Sequence, residues 1–210
     1  MLLFILPALA LIILLISFST RKIIYPVIAG KVDDDYASMH QEKLNMMARF
    51  WFSNGRSVNH YQYKIGAVRG DSVKPCKIKN GDMILFEPLT KSALGLSDNP
   101  IKTGDVLVLA IDNPGSKHHN QLKLRCYIGV DAERSEILTK TFNSESIARE
   151  SRHPLESLRG RVRYFVPSVK GKNLAQEPNL ILEEYNPDIG ASILDVPTAS
   201  TDVQTPSTCV

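Results

Sequence analysis

The chain has 210 residues, 43% of them hydrophobic and 22% charged, which suits one core-forming domain with appendages and excludes a disordered polymer. Its formal net charge of +3 comes from scattered Lys and Arg, so there is no basic patch of the kind a nucleic-acid partner requires. The three cysteines, Cys76, Cys126 and Cys209, are far apart and lack metal-ligand spacing. Neither a disulfide framework nor a zinc site is indicated; Cys76 and Cys126 read as two separate, partly buried thiols, with a bridge between them as the alternative.

Residues 2–19, LLFILPALALIILLISFS, form an uncharged apolar run about long enough to cross a bilayer as a helix, which takes ~20 residues. Pro7 near its start is tolerable in such a helix. A cleaved signal peptide would open on a basic segment, whereas Met1 leads straight into leucines, so residues 1–22 are expected to be an uncleaved transmembrane anchor. Arg21 and Lys22 follow the span, and their positive-inside bias favours the cytoplasm for that side. The next segment, 23–57, is expected to be juxtamembrane. IIYPVIAG (23–30) is too short to span again and reads as interfacial or as the continuation of a tilted helix. From Asp33 to Phe52 a short amphipathic helix is predicted: Asp33, Asp34 and Asp35 offer a cap, Leu44, Met47, Phe50 and Trp51 an apolar face, and Ser53-Asn54-Gly55 a stop.

Between 58 and 172 the texture changes to short strands: YQYKIGAV (61–68), MILF (83–86), VLVLAI (106–111), QLKLRCYIGV (121–130), EILT (136–139) and GRVRYFV (160–166). Turn signals at Asn80-Gly81-Asp82, Thr103-Gly104-Asp105 and Asn113-Pro114-Gly115 separate them. Close spacing without long helices predicts a mainly β domain of antiparallel sheets or a partly closed barrel. The two Gly-Asp steps look like two similar turns into strands. From 173 to 210 the pattern fades into a Thr-, Ser- and Pro-rich tail expected to be mobile, with LILEEY (180–185) as a segment that docks locally.

The informative stretch is Val68-Arg69-Gly70-Asp71-Ser72-Val73-Lys74-Pro75. A strand ends, a small-residue turn exposes a serine, Pro75 stiffens the exit, and Asn80-Gly81-Asp82 leads into a new apolar strand. Ser72 on such a turn can present its Oγ and its own N–H to one point, as nucleophilic attack with oxyanion stabilisation requires. Gly-Asp-Ser alone is a common tripeptide and is compatible with an ordinary surface turn.

The order of boxes is more specific. Gly70-Asp71-Ser72-Val73-Lys74-Pro75 with Asn80-Gly81-Asp82-Met83-Ile84-Leu85 resembles the nucleophile box shared by signal peptidase I and the LexA/UmuD-type self-cleaving proteins. Val73 stands where those families usually have Met, and Cys76 where they usually have Thr. Gly104-Asp105-Val106-Leu107-Val108 resembles their second Gly-Asp strand, and Leu122–Gly129 the strand that carries a lysine base. Glu150-Ser151-Arg152 with Gly160-Arg161-Val162 resembles the C-terminal box, with Glu150 where Asp is usual. The resemblance spans about residues 60–170.

It implies a membrane-bound serine endopeptidase with a Ser–Lys dyad, needing neither cofactor nor metal, that removes leader peptides from exported precursors, pilin among them. The catalytic domain would face outward from the plasma (inner) membrane, on the periplasmic side, against the bias of Arg21 and Lys22. Its partners would be the precursor and the bilayer. Such a lysine must shed the proton that an ordinary ammonium, of pKa ~10.4, retains. Counting back four from Gly129 lands on Arg125, which cannot act as a base. Lys123 shares its strand face and is the expected base if a bulge or register shift aims it inward. His118 and His119, in the loop before that strand, are the alternative bases. Gly70 stands where a second, hydroxyl-bearing oxyanion donor is often found, which leaves the Ser72 N–H as main donor. Pro75, Gly81, Asp82, Glu150, Ser151 and Arg152 are expected to be structural, with Arg152 in an ion pair. The competing classes are a catalytically silent membrane-anchored assembly protein of the same fold and a LexA/UmuD-like self-cleaving protein.

Overall fold

The computed structural model describes residues 23–29, 42–43, 49–59, 62–94, 101–111, 121–142 and 148–194, and in it eleven strands join through pairings into one mixed sheet system. In chain order these are β1 (Ile23–Ile28), β2 (Glu42–Lys43), β3 (Arg49–Phe52), β4 (Lys64–Arg69), β5 (Met83–Pro88), β6 (Val106–Ala110), β7 (Leu122–Asp131), β8 (Glu136–Phe142), β9 (Ala148–Pro154), β10 (Leu158–Val166) and β11 (Asn179–Glu184), followed by one helix, α1 (Pro187–Leu194). Strands β1, β4, β5, β10, β6 and β7 pair in that order, and β1 also pairs with β7, so they close into a ring; β8 and β9 extend it as a hairpin.

The apolar runs explain the layering. β5 and β6 are buried on both faces: Ile84, Phe86, Val106 and Val108 enter a central core, while Met83 and Leu85 pack toward β3 and β11, and Leu107 and Leu109 toward β8 and β10. The two Gly-Asp turns have one geometry. Gly81 (φ 90°) and Gly104 (φ 92°) take the left-handed conformation that glycine adopts without steric cost. Asp82 and Asp105 then accept from the N–H three residues back, of Lys79 at 2.9 Å and Lys102 at 2.7 Å.

Three expectations are corrected. The segment at 23–30 is not an interfacial or tilted helix where it is described; it is β1, parallel to both β4 and β7. Its Ile, Tyr and Val residues are strand formers, with Tyr25, Val27 and Ala29 on the central core and Ile24 on the opposite face. Pro26, which has no N–H to donate, falls where pairing with β2 has ended and pairing with β7 has not begun. These parallel ladders make the sheet mixed rather than antiparallel.

The amphipathic helix ends, where described, as strands: β2 pairs with β1, and Phe50, Trp51 and Phe52 lie in β3 beside β11, with Phe50 buried and Phe52 packed against the same cluster. The tail expected from 173 is structured to Leu194. Leu180 and Leu182 of β11 are buried, and Tyr185 reaches the central core, donating to Gly104 O at 2.6 Å. Cys76 and Cys126 are free and buried in that core. Among the described residues no helix is long and apolar enough to cross a membrane. Residues 2–19, Arg21, Lys22, the Asp33–Asp35 cap, His118, His119 and Cys209 lie outside the described residues.

Candidate active site

The serine turn is built locally. β4 stops at Gly70, which has φ 95°. Two interlocked side chains then set the loop: Gly70 N–H donates to Asn80 Oδ1 at 3.1 Å, and Asn80 N–H donates to Asp71 Oδ1 at 3.0 Å. Pro75 lies in a single 3-10 turn, Lys74–Cys76, and Val73, Cys76 and Ile78 anchor the loop in the central core. Asp82 adds a tie to the segment just after β10 by accepting from Ser168 N–H at 2.8 Å.

Ser72 itself is clamped by its backbone. Its N–H donates to Ala29 O at 3.2 Å, and its carbonyl accepts from Phe142 N–H at 2.9 Å. Its Oγ is buried and makes no hydrogen bond, a state that ordinarily costs about 1–3 kcal/mol. The N–H expected to serve an oxyanion is therefore already occupied by the carbonyl of Ala29, the residue that follows β1. The other donor position, Gly70, spends its N–H on Asn80.

On β7 the alternation of side chains divides the strand. Leu122, Leu124 and Cys126 face the central core, while Lys123 and Arg125 lie on the opposite face, across from Leu109 and Leu107 of β6. The β7–β8 ladder does carry an irregularity, between Tyr127 and Gly129, but it falls beyond both basic residues and leaves them on one face. Lys123 Nζ is 3.2 Å from His153 Nδ1, and His153 Nε2 is 3.0 Å from Ser151 Oγ, which in turn is 3.0 Å from Thr139 Oγ1. The result is a partly buried polar relay running from β7 across β9 to β8. No hydrogen bond joins Ser72 Oγ to Lys123.

Charge and burial fix the protonation of this relay. Burial, aided by the positive charges of Lys123 and Arg125, lowers the His153 imidazole to a pKa of about 3, so it is neutral near pH 7. Neutral His153 accepts a hydrogen bond from Lys123 Nζ at Nδ1 and donates one from Nε2 to Ser151 Oγ. Arg125 is lowered by burial to about 10 and remains a cation at neutral pH; its Nη1 donates to Leu124 O at 2.7 Å and its Nε is buried without a partner. Arg152 ties β9 to the β7–β8 hairpin through Asp131 at 2.7 Å and Glu136 at 3.3 Å, while exposed Glu150 lies 3.8 Å from Lys140. The described residues hold no group of three or more His, Cys, Asp or Glu placed to bind a metal.

What unites these parts is β1. Ser72 takes the carbonyl of Ala29, and the ladder between β1 and β7 pairs Ile28 with Lys123. The nucleophile candidate and the base candidate thus address consecutive residues of one extended strand. Two participants escaped the sequence reading. His153 was detectable, since it is two residues after Ser151 and so shares its strand face; β1 carried only the generic signal of an apolar run. Comparison with protein-family models and with curated proteins found no match.

Proposed function

We propose that the protein is a membrane-anchored serine endopeptidase of the signal peptidase I type, cutting leader peptides from exported precursors, with Ser72 as nucleophile and Lys123 as base. The barrel-like ring of strands, the order of the four boxes and the apolar run at 2–19 support this reading. One observation carries it: an extended segment lies parallel to the strand that leads to Ser72 and to the strand that carries Lys123. Its backbone carbonyl rests on the Ser72 N–H. A substrate strand taking the place of that segment would present its scissile carbonyl to Ser72 and keep water out of the bond.

In this mechanism Lys123, in its neutral form, takes the Ser72 proton as Oγ attacks the carbonyl carbon, and the Ser72 N–H receives the oxyanion. Lys123 then returns the proton to the leaving amine, and a second cycle with water releases the acid. His153 orients Lys123 through Nδ1 and is itself oriented by Ser151. The catalytic domain works on the outer face of the plasma membrane, where leader peptides emerge.

Purified protein incubated with leader-bearing precursors tests this. Cleavage is expected for the native chain and not for Ser72→Ala, with a loss of about a hundredfold or more for Lys123→Ala. Retained cleavage in Ser72→Ala ends the nucleophile assignment. No cleavage by the native chain favours the silent assembly protein, a reading that the occupied Ser72 N–H also accommodates.

A further inference from the structure

We infer that Cys76 and Cys126 are a redox dithiol, closed to a disulfide across the central core by a disulfide-bearing oxidant, and that the bond cross-links the serine turn to β7; this holds whether or not Ser72 is the nucleophile. Cys76 ends the 3-10 turn Lys74–Cys76 that follows Ser72, and Cys126 lies on β7 with Lys123. Both are fully buried in one core cluster, and their thiols hydrogen-bond to each other.

Buried cysteines that only fill space need neither each other nor a polar partner, since a thiol packs as a small hydrophobe. This pair has both. Cys126 Sγ donates to Gly104 O at 3.8 Å, Tyr185 Oη donates to the same oxygen at 2.6 Å, and Tyr185 also hydrogen-bonds with Cys76. Sulfurs in such contact need only a short further approach to reach the ~2.05 Å of a disulfide. The turn is the side that can move. Lys74 and Lys77, which flank Cys76 on it, are exposed, whereas Cys126 is held in ladders with both β6 and β8.

The two thiols are not equivalent. Contact with Cys126, aided by Tyr185, outweighs burial and holds the Cys76 thiol below the ordinary range, while the same contact and burial push Cys126 up. Cys76 is therefore the attacking thiolate and Cys126 the resolving thiol. The Cys76 sulfur bonds to one sulfur of the oxidant's disulfide, and the other leaves as a thiolate that takes up the proton Cys76 gave up. Cys126 then loses its proton and attacks the Cys76 sulfur. The mixed disulfide breaks, and the oxidant's second sulfur leaves as a thiol with that proton. Two electrons and two protons pass from the chain to the oxidant, and nothing else is consumed.

The test uses the full chain purified in detergent with Cys209→Ser, so that only the pair can react. The fully reduced protein is equilibrated in equimolar reduced and oxidised glutathione, quenched with acid, denatured and alkylated. No alkylated cysteine is expected, with an intact mass lower by two hydrogens and a joined Cys76–Cys126 peptide after proteolysis. Thermal unfolding of the oxidised form should lie roughly 10 °C above that of the reduced form, as closing a loop the length of 76–126 implies for a chain of this size. Adding Cys126→Ala should abolish that difference between oxidising and reducing buffers. Two alkylated thiols after equilibration overturn the inference, as does a glutathione adduct standing in place of the bond. A bond that lowers the unfolding temperature also overturns it, since sulfurs that meet in the native fold can be joined without breaking it. The oxidised and reduced forms are compared on one chain with the pair intact, so a Cys126→Ala chain that fails to fold leaves the decision to them.

Discussion

Lys123 Nζ and His153 Nδ1 lie 3.2 Å apart although 30 residues separate them in the chain. Strand β9 folds back on β8 to bring the histidine over β7, and burial keeps it neutral, so it presents a lone pair to the amine. On the proposed mechanism His153 is a positioning residue for Lys123. Its replacement by Ala should lower kcat about tenfold, the value of one hydrogen bond of ~1.4 kcal/mol, with KM little changed. The pH profile of kcat/KM should also move, which a loss of mere packing would not cause. His153→Asn, whose amide oxygen can stand in for Nδ1, should recover most of the rate. Equal kinetics in native and Ala forms would remove His153 from the site.

The same histidine sets an acid limit on stability. An unfolded histidine titrates near ~6.5, whereas folded His153 titrates at about 3. Between these values the unfolded chain binds more protons than the folded one, so stability is fully present above pH ~6.5 and falls as the pH drops toward 3, by at most about 1.4 kcal/mol per pH unit from this group. Urea midpoints between pH 7 and pH 4 should show a smaller decline in His153→Asn than in the native chain. Parallel curves would mean that other groups carry the acid response.

Ser72→Ala separates function from folding. The buried Oγ has no partner, so deleting it removes an unpaired polar atom and leaves both backbone clamps in place. Folding stability should be unchanged or rise by up to about 1 kcal/mol while cleavage is lost. A fall of more than ~1 kcal/mol in the denaturant midpoint analysis would show that the hydroxyl is bonded in solution.

Gly66→Ala probes how β1 is seated. The added Cβ would meet Val27 Cγ2 at 2.6 Å and Ile84 Cγ1 at 3.1 Å, so β1 must shift, at a cost of about 1–3 kcal/mol typical of overpacking. Adding Val27→Ala should relieve much of that cost, giving a coupling energy in a double-mutant cycle. Additive losses would indicate that Gly66 matters for another reason.

Legibility followed the range of the interactions. The serine turn, the two Gly-Asp turns and the apolar runs of β5, β6, β7 and β10 were readable because glycine conformation, short side-chain caps and strand patterning act within a few residues. The helix expected over 33–52 failed at its C-terminal end because Phe50 and Trp51 continue a helical spacing from Leu44 and Met47 while Phe50 and Phe52 also fit the period of a strand, and pairing with β11, more than a hundred residues away, decides between them. The alternation of Leu180 and Leu182 is too short to announce more than a locally docking segment in a tail, yet β10 and β3 supply the partners that make it a strand.

Ser72 as a serine on a rigid turn was determined by the residues around it, since Gly70, Asp71, Asn80 and Pro75 shape that loop from within. What lies on its N–H, and which group meets Lys123, were decided only by tertiary structure. Period two puts Lys123 and Arg125 on one face without distinguishing them, and they are distinguished by His153, a neutral acceptor that another hairpin delivers to Lys123. The carbonyl of Ala29 reaches Ser72 because β1 closes the ring between β4 and β7. Parallel pairing of that kind has no local turn to announce it, so nothing in the order of the residues between 29 and 72 encodes the contact.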